Sequence, residues 1–497
     1  MTEKQKFYFD TIKEPEFHLD IKKGNAGKQF FYADIIAYHS EVTGSCIKVS
    51  VKSKNKEENA CFIVDFGLFQ EQKYNEMNEK MPFDPEEIDF AIVTHNHVDH
   101  TGRLPFLVKN GFRNKILTTS ITKKLIELAL TDSCKVLGDI AKRNHQNPLY
   151  ELNDVRKTMD LICGYDYEEE INVKNNIKII FYKNGHLLES ALVLVQISSI
   201  YYEQDINLVF TGDYKKDNIF LDIPQIPSFV TQLPVCIIQE STYGTTNSED
   251  VEKVFEKNIY NAVKGNKDIV IPVFSLGRSQ EIAYVIRKMQ EENLIPKNYP
   301  IYLDGPLTFK YTKIYLEENV GIKEEMKNFL PYGLKFINSD NREIVLKKEG
   351  PKIVLTSSGM GSYGPAQMHI PTVLARKNGL IHFTGYMAEN TLGRRLKDTK
   401  NGEAVSVGGI IIKKRGEVQY TTEFSSHAKA DEMIEFLNQF KNIKVILLNH
   451  GERNTKIAFA GRILEEVNAK NIGILGEEYA YRINPYGLVK VLPKKFY

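Results

Sequence analysis

After residue 30 the chain opens with short apolar segments that polar residues interrupt. FFYADIIAYHS, SCIKVSVKS and NACFIVDF are rich in β-branched and aromatic residues, and a charged SKNKEEN turn separates the last two. This pattern predicts antiparallel strands. IDFAIVT predicts a further strand, and TGRLPFLVKNG and SITKKLIELALTDSCKVLGDI predict helices that follow it.

After Gly244 the pattern changes to apolar strands that alternate with amphipathic helices. The strands KDIVIPVFS, PIYLDGP, PKIVLTSSG and GLIHFTGY are separated by stretches such as GRSQEIAYVIRKMQEEN, which predicts an α/β domain with a parallel sheet. Ligands of open α/β sheets lie beyond the carboxyl ends of the strands. We therefore expect residues 275–279, 304–308, 357–362 and 385–395 to line one crevice. Near Thr421 the earlier pattern returns.

Composition narrows the class of protein. The 497 residues suffice for two to four domains, and 42% hydrophobic and 26% charged residues are ordinary globular values. The formal charge of +1 means that a polyanionic partner needs a local basic groove. The five scattered cysteines argue against a disulfide framework and a thiolate zinc site.

No apolar signal region opens the chain, and no segment is apolar for the roughly 18 residues that a spanning helix needs. We expect a cytoplasmic protein that does not enter membranes.

The run His95-Asn96-His97-Val98-Asp99-His100 concentrates metal ligands. Four nitrogen and oxygen donors within six residues can face two walls of one loop, which suits two metal ions about 3.5 to 4 Å apart. Imidazole and carboxylate together favour zinc, with manganese or iron as the lesser alternatives. The competing interpretation, four polar residues that merely cap a helix, is much rarer for such a motif.

Three later residues can complete the ligand set. His186, Asp213 and His450 each follow a strand-like apolar segment. Taken singly, each could be an ordinary polar residue at a strand end, and for a lone histidine that interpretation is the commoner one. Together they supply the further ligands that two metal ions need besides the histidine run.

A series of motifs in fixed order then points to a family. Besides the histidine run, the chain contains VDFGLFQ, QESTYG, GRSQE, LDGPLT, SSGM, GYMAENTLGRR, FSSHAKADE and NHGE. In these it resembles the β-CASP branch of the metallo-β-lactamase superfamily, whose members are nucleases, and within it the compact bacterial and archaeal relatives of the mRNA 3′-end cleavage nuclease.

The resemblance implies an α/β fold, a metallo-β-lactamase αββα sandwich with an inserted β-CASP domain that has a parallel, Rossmann-like sheet. The expected division is an N-terminal extension over residues 1–30, the first part of the metallo-β-lactamase domain over 31–244, the β-CASP domain over 245–422, and the last part of the metallo-β-lactamase domain over 423–497.

Roles follow from the same resemblance. It implies that one zinc binds His95, His97 and His186, that a second zinc binds Asp99, His100 and His450, and that Asp213 bridges the two. Asp65 resembles an outer carboxylate that orients these ligands, and Glu240 with His427 resembles the pair that protonates the leaving group. Without the resemblance, Asp65 reads as a turn residue, Glu240 as a surface carboxylate and His427 as a helix-start histidine.

The implied reaction is hydrolysis of a phosphodiester by a hydroxide that two zinc ions generate. His450 favours RNA, because Artemis-like DNA nucleases typically carry valine there. The chain is thus predicted to be a ribonuclease that cuts single-stranded RNA to leave 5′-phosphate ends, endonucleolytically, with a 5′-exonucleolytic mode and a homodimer left open. The alternatives are a DNA nuclease of the same family, a non-catalytic RNA-binding subunit, and a thioester or lactam hydrolase of the same fold.

Substrate contacts are expected on the crevice loops. The residues predicted to hold RNA phosphates are Arg278, Ser357, Ser358, Arg394, Arg395 and Ser426. An arginine beside a glycine loop is about as often a solvated surface charge. Glu189 departs from the family, in which glycine is common at this position, and its acidic side chain is expected near the edge of the metal site.

Overall fold

The computed structural model describes residues 30–318, 321–385, 387, 391–469, 471–476 and 478–493. The predicted N-terminal extension, apart from residue 30, lies outside the described residues, as do residues 386 and 388–390 of the GYMAENTLGRR motif. The chain separates into two compact units. Within the described residues, unit 1 comprises residues 30–218, 223–248 and 427–493, and unit 2 comprises residues 219–222 and 249–426.

Unit 1 contains two mixed sheets. The strands of the first are β1 Tyr32–His39, β2 Cys46–Lys52, β3 Ala60–Val64, β4 Phe90–Ile92, β5 Ile116–Thr119, β6 Ile162–Tyr165, β22 Tyr479–Asn484 and β23 Gly487–Pro493. Those of the second are β7 Ile171–Lys174, β8 Ile177–Lys183, β9 Ala191–Ser199, β10 Tyr202–Phe210, β11 Pro234–Glu240, β20 Asn442–Asn449 and β21 Ile472–Ile474. The predicted antiparallel pairing of β1, β2 and β3 is confirmed.

Helices cover the outer face of each sheet. They are α1 Val98–Thr101, α2 Leu104–Lys109, α3 Ser120–Arg143, α4 Leu152–Leu161, α5 Ser228–Gln232, α12 Ala430–Asn438 and α13 Arg453–Glu466. One core, with Phe62 and Phe181, lies between the two sheets. A second packs Leu107 and Leu130 onto the first sheet, and a third packs Met433 and Phe459 onto the second. The predicted αββα sandwich is confirmed.

Unit 2 is built on a parallel sheet of six strands. They are β12 Asp268–Pro272, β13 Ile301–Asp304, β14 Lys335–Ile337, β15 Lys352–Thr356, β16 Gly379–Phe383 and β19 Glu417–Tyr420, and a hairpin of β17 Ala404–Val407 and β18 Ile410–Lys413 is added to them. The strand order in the sheet is β14-β13-β15-β12-β16-β19. Its helices are α6 Phe255–Lys264, α7 Arg278–Glu291, α8 Pro306–Glu318, α9 Ser339–Lys347, α10 Ala366–Leu374 and α11 Leu392–Asp398. Every residue of β12 is buried, as expected for a central strand covered on both faces.

The loops at the carboxyl ends of these parallel strands contact one another. The amide of Ser357 donates to the carbonyl of Asp304, Phe274 packs against Gly359, and Arg278 donates to the carbonyl of Thr384. These contacts bring the loops together at one edge of the sheet, and the crevice that they were expected to line stays a prediction. Among the helices that the structure describes, none combines the length and the apolar character needed to cross a membrane.

Candidate metal centre

The histidines and carboxylates of unit 1 gather at the carboxyl ends of its strands. Asp65 follows β3, and the histidine run leaves β4 and turns into α1. The remaining residues stand at the ends of four strands of the second sheet: His186 after β8, Asp213 after β10, Glu240 at the end of β11, and His450 after β20. Because β10, β11 and β20 are parallel, their ends meet at one edge.

The first group of donors consists of three imidazoles and one carboxylate. His97 Nδ1 lies 3.2 Å from His95 Nε2 and 3.1 Å from His186 Nε2. Asp213 Oδ2 lies 3.6 Å from His95 Nε2 and 3.8 Å from His186 Nε2. All four donor atoms lie within 4.8 Å of one another.

The second group adjoins the first. His100 Nε2 and His450 Nε2 are 3.2 Å apart, and Asp99 Oδ2 lies 3.9 Å from the former and 3.7 Å from the latter. Asp213 Oδ2 is also 3.2 Å from His100 Nε2. Asp213 therefore reaches both groups, as a bridging ligand must.

This donor set fits a divalent metal ion. Three imidazole nitrogens and a carboxylate oxygen are a common zinc set. Burial lowers the pKa of His97 to about 4 and holds the pKa of His95 well below its usual value, which favours the neutral form of both rings. Burial would also lower the pKa of His100, but the charges of Asp213 and Asp65 raise it well above its usual value. Burial alone would raise the pKa of Asp99, but the hydrogen bond with His450 and nearby imidazoles lower it to about 2. Neutral imidazole and ionised carboxylate are the forms that bind metals.

Thr94 sets the orientation of two of these ligands. Asp65 accepts hydrogen bonds from the Thr94 amide at 2.8 Å, from the Thr94 hydroxyl at 2.9 Å and from His100 Nδ1 at 2.7 Å. Since the hydroxyl gives its only proton to Asp65, it must accept from His95 Nδ1, 3.1 Å away. The Nε2 lone pairs of His95 and His100 are thereby directed to the donor groups.

Thr242 repeats this arrangement on the other side. Its hydroxyl donates to Glu240 Oε2 at 2.7 Å and lies 3.1 Å from His450 Nδ1, so it accepts the imidazole proton. Asn184 adds a third support, because its amide donates to the carbonyls of Thr211 and Asp213. The ligand pattern selects none of these three residues. The only signals are the positions of Thr94 beside His95 and of Thr242 two residues after Glu240.

We expect Thr242→Val to weaken retention of metal about 10- to 100-fold, the usual loss when an outer partner of a ligand is removed. Valine keeps the shape but removes the hydroxyl that accepts from His450 Nδ1 and leaves only Asp213 Oδ1, 3.4 Å away. Thr94→Val should act in a similar way on His95. Titration with a competing chelator measures the effect. Thr242→Ser, which keeps the hydroxyl, should behave like wild type, and a valine variant that holds metal equally well would contradict the assignment.

Glu240 and His427 form a pair beside these groups. His427 Nδ1 lies 3.1 Å from Glu240 Oε2 and 3.3 Å from Oε1, and Oε1 also accepts the amide of Tyr214. Burial would lower the pKa of His427, but the charge and hydrogen bond of Glu240 together with the charges of Asp213 and Asp99 raise it. A nitrogen of His427 also falls within 4.8 Å of donor atoms of Asp213, Glu240 and His450. The ligand set expected from the sequence does not contain this third grouping.

The backbone around the centre is held in left-handed conformations. Asp65, Glu189 and His450 have φ values of 61°, 60° and 47°, a region in which non-glycine residues are uncommon and which clusters at functional sites. Glycine adopts this conformation without strain, which fits the glycine that the family resemblance implies at position 189. Glu189 is buried, its carbonyl accepts from Thr119 and Thr122, and its carboxylate belongs to none of the donor groups found among the described residues.

Gly67 lets two segments of the centre approach closely. A Cβ atom at this position would lie 1.5 Å from the carbonyl oxygen of Asp99 and 2.7 Å from the amide nitrogen of His100. We expect Gly67→Ala to lower the free energy of unfolding by about 3 kcal/mol or more, because backbone atoms must move. Urea unfolding followed by circular dichroism measures the change.

Gly138 is the matched control for this substitution. It lies within α3 with no atom within 4 Å of an added Cβ, so Gly138→Ala should raise stability by about 0.5 to 1 kcal/mol. Equal stability of the Gly67→Ala and wild-type proteins would show that the close approach is relaxed in solution.

The predicted substrate contacts all lie in unit 2. Arg394 and Arg395 are exposed on α11, whereas Ser357, Ser358 and Ser426 are partly buried. Arg278 is buried, and its guanidinium donates to Glu281 and to the carbonyl of Thr384. The phosphate-binding roles of these residues stay predictions, and for Arg278 burial counts against the role.

Three family models match the chain. They are the metallo-beta-lactamase superfamily over residues 56–128, the Beta-Casp domain over 279–396, and the Zn-dependent metallo-hydrolase RNA specificity domain over 411–473. Together they cover segments of both units.

Curated relatives agree. The chain is 30% identical over 388 residues to an RNase J-like protein of Methanocaldococcus jannaschii. This match covers 76% of the chain and 85% of the relative. It is 28% identical to transcription termination factor FttA of Methanosarcina mazei over 78% of the chain, and 29% identical to cleavage and polyadenylation specificity factor subunit 3-I of Arabidopsis thaliana over 90% of it. The chain spans 62% and 63% of the lengths of these last two. The predicted family is confirmed: the chain belongs to the β-CASP branch of the metallo-β-lactamase superfamily.

Proposed function

We propose that the chain is a zinc-dependent ribonuclease that hydrolyses RNA phosphodiesters by a two-metal mechanism and leaves 5′-phosphate ends. The observation that carries the proposal is the convergence of His95, His97, His186, Asp99, His100, His450 and Asp213 into two adjoining donor groups. Relatives named as an RNase J-like protein and as a cleavage factor, and a matched family model described as an RNA specificity domain, support RNA as the substrate. We propose two zinc ions per chain, with manganese as the alternative metal.

We also propose that residues 245–422 form the inserted β-CASP domain and that the sequence on either side, residues 31–244 and 423–497, forms the metallo-β-lactamase domain. The match of the Beta-Casp model to residues 279–396 and the parallel sheet of unit 2 support this division.

When bound, two divalent ions activate water near neutral pH and neutralise charge on the phosphate oxygens. The chain supplies the remaining needs. Thr94 and Thr242 hold His95 and His450, and Asp65 holds His100, with the Nε2 atoms of these rings directed to the donor groups. These contacts fix the donors before a metal arrives, which lowers the cost of ordering them on binding.

The Glu240 and His427 pair suits proton delivery. Hydrolysis that leaves a 5′-phosphate forms a bond from a water oxygen to phosphorus and breaks the bond from phosphorus to the 3′ oxygen, which must then gain a proton. His427, held by Glu240 at 3.1 Å, can supply that proton and be reprotonated by solvent, because its side chain is partly exposed.

Matched labelled substrates test the function. Single-stranded RNA and DNA of one sequence, carrying 5′-hydroxyl, monophosphate or triphosphate ends, are incubated with wild type and His97→Ala in zinc or manganese buffer. We expect wild type to cut RNA within the strand, to leave 5′-phosphate ends, and to leave DNA intact. His97→Ala should be inactive.

Other outcomes separate the alternatives. DNA cut as fast as RNA identifies a DNA nuclease of the family, and RNA binding without cleavage under any metal identifies a non-catalytic subunit. Cleavage that survives His97→Ala would overturn the metal assignment. A strong dependence of the rate on the 5′ end group would establish the exonucleolytic mode.

A further inference from the structure

Three aromatic side chains stand exposed along the carboxyl edge of the parallel sheet of unit 2. Phe274 follows β12, Phe309 lies in the first turn of α8 after β13, and Tyr363 lies in the loop after β15. Their exposed fractions are 40%, 45% and 66%. Since β13, β15 and β12 are consecutive neighbours in the sheet, the three residues lie in segments that follow adjacent strands.

Two of these residues contact the Ser358-Gly359 dipeptide. Phe274 packs onto Gly359, where an added Cβ would lie 2.8 Å from the ring. The preceding residue, Ser358, donates its amide to the carbonyl of Tyr363 at 3.2 Å. Phe274 and Tyr363 thus flank the Ser358-Gly359 dipeptide.

The third ring is held in a similar way. The amide of Phe309 donates to the carbonyl of Gly305 at 2.9 Å, and its ring meets the edge of Phe336 with centroids 4.9 Å apart. Grouped exposed apolar side chains mark interaction sites, whereas scattered ones are ordinary.

Two arginines lie on the helix that follows the next strand of the sheet. β16 is the neighbour of β12 in the sheet, and α11 follows it. The amide of Gly393 donates to the carbonyl of Met360 at 3.0 Å, and the amide of Leu392 donates to the Ser362 hydroxyl at 3.1 Å. These bonds tie the start of α11 to the loop that carries Tyr363. The exposed Arg394 and Arg395 on α11 therefore accompany the aromatic rings.

We propose that this edge of unit 2 is a binding surface for single-stranded nucleic acid, on which successive bases stack on Phe274, Phe309 and Tyr363 while Arg394 and Arg395 meet backbone phosphates. Exposed rings offer flat faces on which bases can stack, and the exposed arginines offer positive charge to phosphates. Stacking of this kind tolerates any sequence, because every base has a π-face. The choice of RNA as the strand rests on the proposed function.

Binding to matched strands with and without bases tests the surface. The full chain is titrated in EDTA, where metal-dependent cleavage is blocked, against a fluorescent 12-nucleotide uridine strand and an abasic strand of equal length. We expect wild type to bind the uridine strand more tightly. Phe274→Ala and Tyr363→Ala should each lose about 5- to 100-fold in affinity for the uridine strand and nothing for the abasic strand.

Three comparison variants sharpen the test. Tyr363→Phe should keep the affinity of wild type. Arg395→Ala should weaken both strands by the same factor and reduce the salt dependence of binding. Tyr201→Ala removes a ring of similar exposure, 53%, from unit 1 and should change neither affinity.

The proposed binding surface would be overturned if wild type bound the two strands with equal affinity. It would also be overturned if the aromatic variants lost the same affinity for both strands. Uridine binding left unchanged by Phe274→Ala and by Tyr363→Ala would also overturn it. Because no step needs cleavage, a chain that discriminates the strands without cutting RNA refutes the proposed function alone. A chain that cuts RNA with no effect of these rings refutes this surface alone.

Discussion

Asp213→Asn protein should lose bound metal from both donor groups and cut RNA more than about 100-fold more slowly than wild type. Asp213 Oδ2 lies within 3.2 to 3.8 Å of the Nε2 atoms of His95, His100 and His186, and the amide keeps its shape while removing its charge. Removing a residue that hydrogen-bonds a metal ligand lowers metal affinity or activity roughly 10- to 100-fold. Loss of a ligand shared by two ions should cost more.

Thermal unfolding gives a readout that does not depend on activity. A metal that binds the folded chain raises its melting temperature, and the rise grows with ligand concentration relative to the dissociation constant. We expect added zinc to raise the melting temperature of wild type and to have little effect on Asp213→Asn. Metal content by mass spectrometry completes the comparison.

Asp217→Asn is the matched control, because Asp217 is exposed four residues later in the same loop. It should bind metal and cut RNA like wild type. Asp213→Asn that still carried a full metal complement would show that the two groups assemble without a bridging carboxylate.

Local patterns predicted the layers of both units because strand and helix periods differ. The period-two segments before Ser53 became β1 and β2, and the helical stretch after Gly277 became α7. Strand ends could be placed too, which is why His186, Asp213 and His450 could be selected as ligands. Parallel strands bring their ends to one edge whatever the spacing along the chain.

Features that depend on distant contacts could not be predicted. Residues 219–222 belong to unit 2 because Asp222 donates to the carbonyl of Gly321 and Lys323 donates to that of Phe220. Thr94 and Thr242 look like ordinary strand-end residues until their hydroxyls are seen between carboxylate and imidazole. The pairing of Arg278 with Glu281 did leave a signal, since residues three apart on a helix are neighbours.

His427→Asn should slow RNA cleavage about 10²- to 10⁴-fold, the usual contribution of a positioned general acid, and leave metal content unchanged. Glu240→Gln should slow cleavage similarly, because the pair acts as one unit. A substrate with sulfur as the 3′ leaving atom needs no proton, so His427→Asn should cut it nearly as fast as wild type. The exposed His145, changed to Asn, serves as the control. Metal lost from His427→Asn, with no rescue by sulfur, would instead make His427 a ligand, as its place beside Asp213 and His450 allows.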